Sequence, residues 1–279
     1  MGARAAVKAV ERLLGEPVTR SAPLGGTADR IETGSRTVVA KRGPVEAEAA
    51  GLRWLGEHGD VPVPSVLAAD DEWLITTYVE SGSPGVRAAE EFGRGLAALH
   101  ARGAEAFGAP PPGGPVDAWM GPEPMRNVAH DTWASFYAAE RITPYVRTAA
   151  DRGLYGPGEI EVFDRLCGRL DKLGVPEEPP ARLHGDAWSG NVLWAADGRV
   201  WLIDPAAHGG HREQDLAMLA LFGTPRLERV LAAYDEAAPL ADGWRDRVGL
   251  HQLFPLLMHA AAFGGGYAGQ ALAVARGVG

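Results

Sequence analysis

Residues 1–14 place Ala5, Ala6, Val7, Val10, Leu13 and Leu14 at helical spacing, which predicts an amphipathic helix. Three short strand-like runs follow, over 18–24, 28–33 and 36–41. Gly25-Gly26-Thr27 and Gly34-Ser35 separate them as hairpin turns. A helix is expected from about 45 to 58, because Pro44 suits its first turn. Pro62 and Pro64 then break the chain before two further strands, 65–69 and 73–79.

Beyond residue 80 the pattern changes. Ser81-Gly82-Ser83-Pro84-Gly85 consists of turn formers and is the best candidate linker. Helical periodicity then dominates, over 87–102, 129–151, 158–173, 212–221, 225–237 and 244–263. The Pro/Gly-rich run 109–115 reads as a surface loop. Short strands are expected at 181–183, 192–195 and 200–203, with Asp197-Gly198 as a hairpin turn between the last two. The chain therefore divides into a sheet-rich lobe (1–80), a connector (81–85) and a larger, mainly helical lobe (86–279). This is an α+β architecture.

Composition narrows the function. The 279 residues are 46% hydrophobic, enough for a sizeable core. A net charge of −9 argues against nucleic-acid binding, and no apolar run reaches membrane-spanning length. The N-terminus lacks the apolar centre of a secretory signal, so a cytoplasmic protein is expected, and a monomer is the default. Cys167, the single cysteine, excludes an internal disulfide framework; with Phe163, Leu166 and Leu170 it reads as part of a buried helical face. Only three of the 27 basic residues are lysines: Lys8, Lys41 and Lys172.

The chemistry concentrates in residues 183–191, LHGDAWSGN, followed by Leu202-Ile203-Asp204-Pro205. Asp186, Asn191 five residues on, and Asp204 form a phosphoryl-transfer pattern. One carboxylate takes the proton of an acceptor hydroxyl; a second carboxylate and an amide oxygen hold Mg²⁺ against the phosphates. Asp186 is the candidate base, and Asn191 and Asp204 the candidate metal ligands, with oxygen donors suited to Mg²⁺. Lys41 ends the run Thr37-Val38-Val39-Ala40, as a phosphate-binding lysine does at the end of a third strand. Glu48 is preferred over Glu46 as its partner, because Leu52 and Leu55 follow it at helical spacing.

The candidate nucleotide-binding set comprises Leu24, Gly25, Gly26 and Thr27 at the first turn, then Val39 and Lys41, then Thr77, Tyr78 and Val79 beside the adenine. Leu193 and Ile203 complete it. His208 and His211 form an H-x-x-H with no acidic or cysteine partner at zinc-like spacing. His251 and His259 lie on an apolar helix and read as core or pocket histidines. The run Phe263-Gly264-Gly265-Gly266-Tyr267 is either a helix break lining a cleft or a turn.

These residues resemble the small-molecule kinases of protein-kinase-like fold, and most closely the fructosamine-3-kinase (ketosamine kinase) family. The resemblance is carried by 183–191, by 203–218 (IDPAAHGGHREQDLAM), by 253–270 (LFPLLMHAAAFGGGYAGQ), and by 119–121, Asn127 and 133–141. It implies ATP-dependent phosphorylation of the sugar 3-hydroxyl of a ketosamine, with release of the amine, and hence deglycation. Carried over by position, Asp186 is the base, Asn191 and Asp204 bind magnesium, and Lys41 with Glu48 positions the phosphates. Trp188 is expected as either a wall against the sugar or a core aromatic, and Asp215 as a brace for the catalytic loop. The glycine loop lacks the cysteine that some relatives carry there. Two alternatives remain: a kinase for another hydroxylated amine, such as an aminoglycoside, and a catalytically inactive nucleotide-binding module.

Overall fold

The computed structural model describes residues 2–278. Helix α1 (Gly2–Leu14) lies on one face of a five-stranded antiparallel sheet of β1 (Val18–Gly25), β2 (Ala28–Thr33), β3 (Thr37–Arg42), β4 (Val66–Ala69) and β5 (Trp73–Thr77). The spatial order is β1-β2-β3-β5-β4. Period-two alternation explains how it is buried. Ile31, Val38, Ala40 and Ile75 face α1 and bury together with Ala6, Ala9 and Val10. Val39 and Lys41 therefore take the opposite face. Helix α2 (Glu46–Gly56) packs Ala49 and Leu52 against Leu74 of β5.

Strand β5 stops at Thr77, so Tyr78 and Val79, expected within the strand, lie between it and the connector. The connector is not loose. Gly82 N–H donates to Trp194 O (2.6 Å), and Ala196 N–H donates to Glu80 O (2.8 Å).

The rest is mainly helical: α3 (Val86–Ala101), α4 (Trp133–Phe136), α5 (Thr143–Asp151), α6 (Pro157–Cys167), α7 (Glu213–Leu221), α8 (Leu227–Ala237), α9 (Trp244–Phe263) and α10 (Gly266–Gly277). Three two-stranded ribbons punctuate it: β6 (Asp117–Met120) with β7 (Glu123–Arg126), β9 (Val192–Trp194) with β10 (Val200–Leu202), and β8 (Ala181–Leu183) with β11 (His208–Gly210). The sequence pattern did not predict the β6–β7 ribbon, β11 or α10. The helix expected over 129–151 begins four residues later and is interrupted by a π turn, Tyr137–Ile142. The helix expected over 158–173 ends at Cys167 and is followed by a separate 3₁₀ turn, Leu170–Lys172.

The π turn serves the core. Pro255 sits inside α9, where it has no N–H to give to His251 O. Tyr137, placed by the π turn, donates its hydroxyl to Leu250 O (2.8 Å), lies 3.4 Å from His251 O, and accepts from Phe254 N–H (3.1 Å). The same turn buries Arg141, whose guanidinium donates to Arg126 O and Asn127 Oδ1, both at 2.7 Å. Among the described residues, no helix is long and apolar enough to cross a membrane.

Candidate active site

The loop after β8 is fixed from below. Asp215, on the first turn of α7, is fully buried and accepts from the backbone N–H groups of His184 (2.7 Å) and Gly185 (2.9 Å). His100 Nε2 reaches the same carboxylate at 3.2 Å. Burial alone would raise the Asp215 carboxyl, but His100, His184 and the Gly185 N–H outweigh it and hold the pKa below the ordinary value. His184 accepts at Nδ1 from Asp186 N–H (3.2 Å) and donates from Nε2 to Ile203 O (2.9 Å), which makes it the neutral Nε2–H tautomer. Gly185 has φ +82°, and a Cβ there would lie 2.1 Å from Ala206 O. Only glycine fits.

This scaffold presents Asp186. Its Oδ2 and its carbonyl each accept from Asn191 Nδ2 at 2.9 Å. Burial pushes the Asp186 carboxyl up to about 8; the Asn191 amide opposes that shift, and Asp204 adds to it. Asp204 follows β10 with φ +50°, an uncommon conformation outside glycine. Its side chain is 52% exposed, and Oδ1 stands 3.3 Å from Lys41 Nζ. Lys41 Nζ also meets Glu48 Oε2 at 2.6 Å. Burial lifts the Glu48 carboxyl to about 7 despite Lys41. For Lys41 the balance is reversed. Burial would lower its pKa, but Glu48 and Asp204 hold it above the ordinary value.

The donor chemistry fits Mg²⁺. Asn191 turns its amide nitrogen toward Asp186 and Asp204 O, which leaves its oxygen as one hard donor, and the half-exposed Asp204 carboxylate offers another. Three carboxylates and one lysine thus converge from β3, α2 and the two loops flanking the β9–β10 ribbon.

Comparison with known proteins decides the family. The fructosamine kinase family model matches residues 40–277. The chain belongs to the fructosamine kinase family. It is therefore a phosphotransferase. A probable ketoamine kinase of Thermus thermophilus is 35% identical over 253 residues, covering 88% of each chain. One from Enterococcus faecium is 34% identical over 233 residues, covering 82% of this chain and 81% of that one. A crystal structure from Thermobifida fusca, assigned as a fructosamine-3-kinase, superposes with a TM-score of 0.92 at 45% identity, covering 99% of both chains. The choline kinase LicA of Streptococcus pneumoniae, at 14% identity and a TM-score of 0.68, shares the fold.

The remaining positions of this fructosamine kinase family member surround the cluster. Strand pairing puts Ala28 opposite Lys41, and Thr27 O accepts from Arg42 N–H, so the Leu24–Thr27 turn adjoins the lysine. Leu24 itself is 49% exposed. Leu193 and Ile203 lie on the half-exposed face of the β9–β10 ribbon, whose other face (Val192, Trp194, Val200 and Leu202) is core. Thr77 spends its hydroxyl oxygen on Ser65 N–H, and the Tyr78 ring carries the Arg30 guanidinium at 4.8 Å. Trp188 is 38% exposed, so it is not a core aromatic. Glu46, the rejected alternative to Glu48, is exposed.

His208 and His211 do not converge on a common ligand. His211 instead meets Glu213 and His251, a trio that sequence spacing did not reveal because His251 lies on α9, 40 residues away. Arg247 already holds both Glu213 oxygens (2.9 and 2.6 Å), so the carboxylate of the trio is committed to a buried ion pair with arginine. Cys167 is half-buried, and burial raises its thiol to about 11.

Proposed function

We propose that the chain transfers the γ-phosphoryl group of ATP to the 3-hydroxyl of a ketosamine, a sugar–amine rearrangement product, and so serves deglycation. The observation that carries this reading is the convergence of Asp186, Asn191, Asp204, Lys41 and Glu48, on a chain whose family is that of fructosamine kinases.

The geometry supports one role for each residue. Asp186 is the base. Its raised pKa suits a carboxylate that takes a hydroxyl proton near neutral pH, and the Asn191 amide fixes its orientation. Lys41, oriented by Glu48, offers an ammonium to phosphate oxygens. Backbone amides of the Gly25-Gly26 turn would lie against those phosphates, and Val39, Leu193 and Ile203 against the base. Asn191 and Asp204 would hold Mg²⁺, which when bound neutralises charge on the phosphates. Trp188 forms a wall for the sugar.

The test is an ATP-consumption assay across synthetic ketosamines, with an aminoglycoside as the competing acceptor. Ribulosamine and fructosamine adducts should turn over. Asp186→Asn should reduce turnover by at least ~10³-fold while ATP still binds. Turnover of the aminoglycoside alone would replace the acceptor assignment, and full activity in Asp186→Asn would overturn the base.

A further inference from the structure

An aromatic row leads away from the catalytic loop. The Trp188 indole stands edge-on to Phe222 with ring centres 5.9 Å apart. Phe222 meets the His259 ring at 5.1 Å, and His259 meets Phe263 at 5.6 Å. Two anchors hold the row. Ser189 Oγ donates to Phe222 O (3.4 Å), and His259 Nδ1 donates to Pro255 O (2.7 Å). The second bond fixes the His259 tautomer and leaves the Nε2 lone pair without a protein partner among the described residues. Burial lowers the His259 pKa, which keeps that lone pair available at neutral pH. The row ends in the open: Phe263 is 64% exposed.

Phe263 also lines a cavity of about 550 Å³ between the end of α9, the β6–β7 turn and Arg152. Arg152 contacts the buried Glu123 carboxylate through Nη1 alone (2.8 Å), and its side chain is 48% exposed. Its Nε and Nη2 donors therefore remain for a ligand.

We infer that this row and cavity form a subsite for the amine half of the acceptor, selective for an apolar stem that ends in a carboxylate. The inference rests on the ketosamine reading above. With the sugar hydroxyl at Asp186 and the sugar ring against Trp188, the substituted nitrogen points along the row. His259 Nε2 can accept from its N–H, the stem beyond it lies across Phe263, and a terminal carboxylate meets the Arg152 guanidinium in a charge-assisted pair. The subsite selects among ketosamines and takes no part in proton transfer.

The test compares kcat/KM for ribulosamine adducts of methylamine, hexylamine and 6-aminohexanoate, in wild type, Phe263→Ala, Arg152→Gln and Arg152→Lys. The wild type should favour hexylamine over methylamine, and 6-aminohexanoate over hexylamine, by about tenfold at each step. Phe263→Ala should collapse the first ratio. Arg152→Gln should collapse the second, and Arg152→Lys should restore part of it. Wild-type ratios within twofold, or variants that depress all three adducts equally, overturn the subsite and leave the kinase reading standing. No turnover of any ketosamine overturns both.

Discussion

Asp215 is the residue on which the catalytic loop rests, and its removal has a calculable cost. In Asp215→Ala the buried N–H groups of His184 and Gly185 lose their acceptor, and His100 loses a partner. A buried unsatisfied donor costs roughly 1–3 kcal/mol, so the loss of an acceptor for the two N–H groups comes to roughly 2–6 kcal/mol. That is a large part of a typical domain's stability. Asp215→Asn keeps one acceptor oxygen and turns an NH₂ toward a backbone donor, so about half that loss is expected. The pH dependence has a definite sign. The Asp215 pKa is held below its unfolded value, so the stabilisation is present above about pH 4 and is lost as pH falls further. Urea unfolding of wild type and Asp215→Asn at pH 7 and pH 3 measures it: the gap should be wide at pH 7 and narrow at pH 3. The asparagine variant should also lower kcat more than acceptor KM, because the loop carries Asp186. A gap below about 1 kcal/mol at pH 7, or a gap that widens in acid, would refute the argument.

Two further predictions concern the same region. Gly185→Ala forces a Cβ to within 2.1 Å of Ala206 O at φ +82°, so it should cost at least ~2 kcal/mol in denaturant unfolding and impair turnover. Glu213 titrates at about 2. Burial opposes that value, while the adjacent His251 ring and the hydrogen bonds from Arg247 outweigh it. Its stabilising contribution is present above about pH 4.5 and lost as pH falls toward 2, so Glu213→Gln should flatten the acid limb of a stability–pH profile.

What the sequence revealed depended on range. Local patterns were legible: alternation in β2 and β3, glycine turns, and the helical stripe of α2 that singled out Glu48. So were motifs whose members lie within twenty residues, such as Asp186, Asn191 and Asp204. Features that depend on distant partners were not. The β8–β11 ribbon pairs only three residues per strand, and Gly209-Gly210 carries no strand propensity. The π turn answers to Pro255, more than a hundred residues later in the chain. In β6–β7, Pro124 stands within a four-residue strand and hides it. The aromatic row joins Trp188, Phe222 and His259 across two helices, and no single window of sequence contains it.

Helix α2 precedes the connector in the chain, yet half of it is built into the larger, helical lobe. Trp54 and Leu55 share a core with Phe92, Leu96 and Leu202, and Arg182 donates to Trp54 O at 2.7 Å while its guanidinium lies over the Trp54 ring. Asp60 and Pro62, just beyond α2, bond to Arg102 and Leu202 N–H. Glu48 is thus mounted on the same foundation as Asp186, whereas Lys41 rides on the sheet. The 2.6 Å contact between Lys41 and Glu48 ties β3 to a helix that packs on both β5 and the helical part of the chain. Any rocking of the sheet would be registered there first, as a change in the distance between one ammonium and one carboxylate.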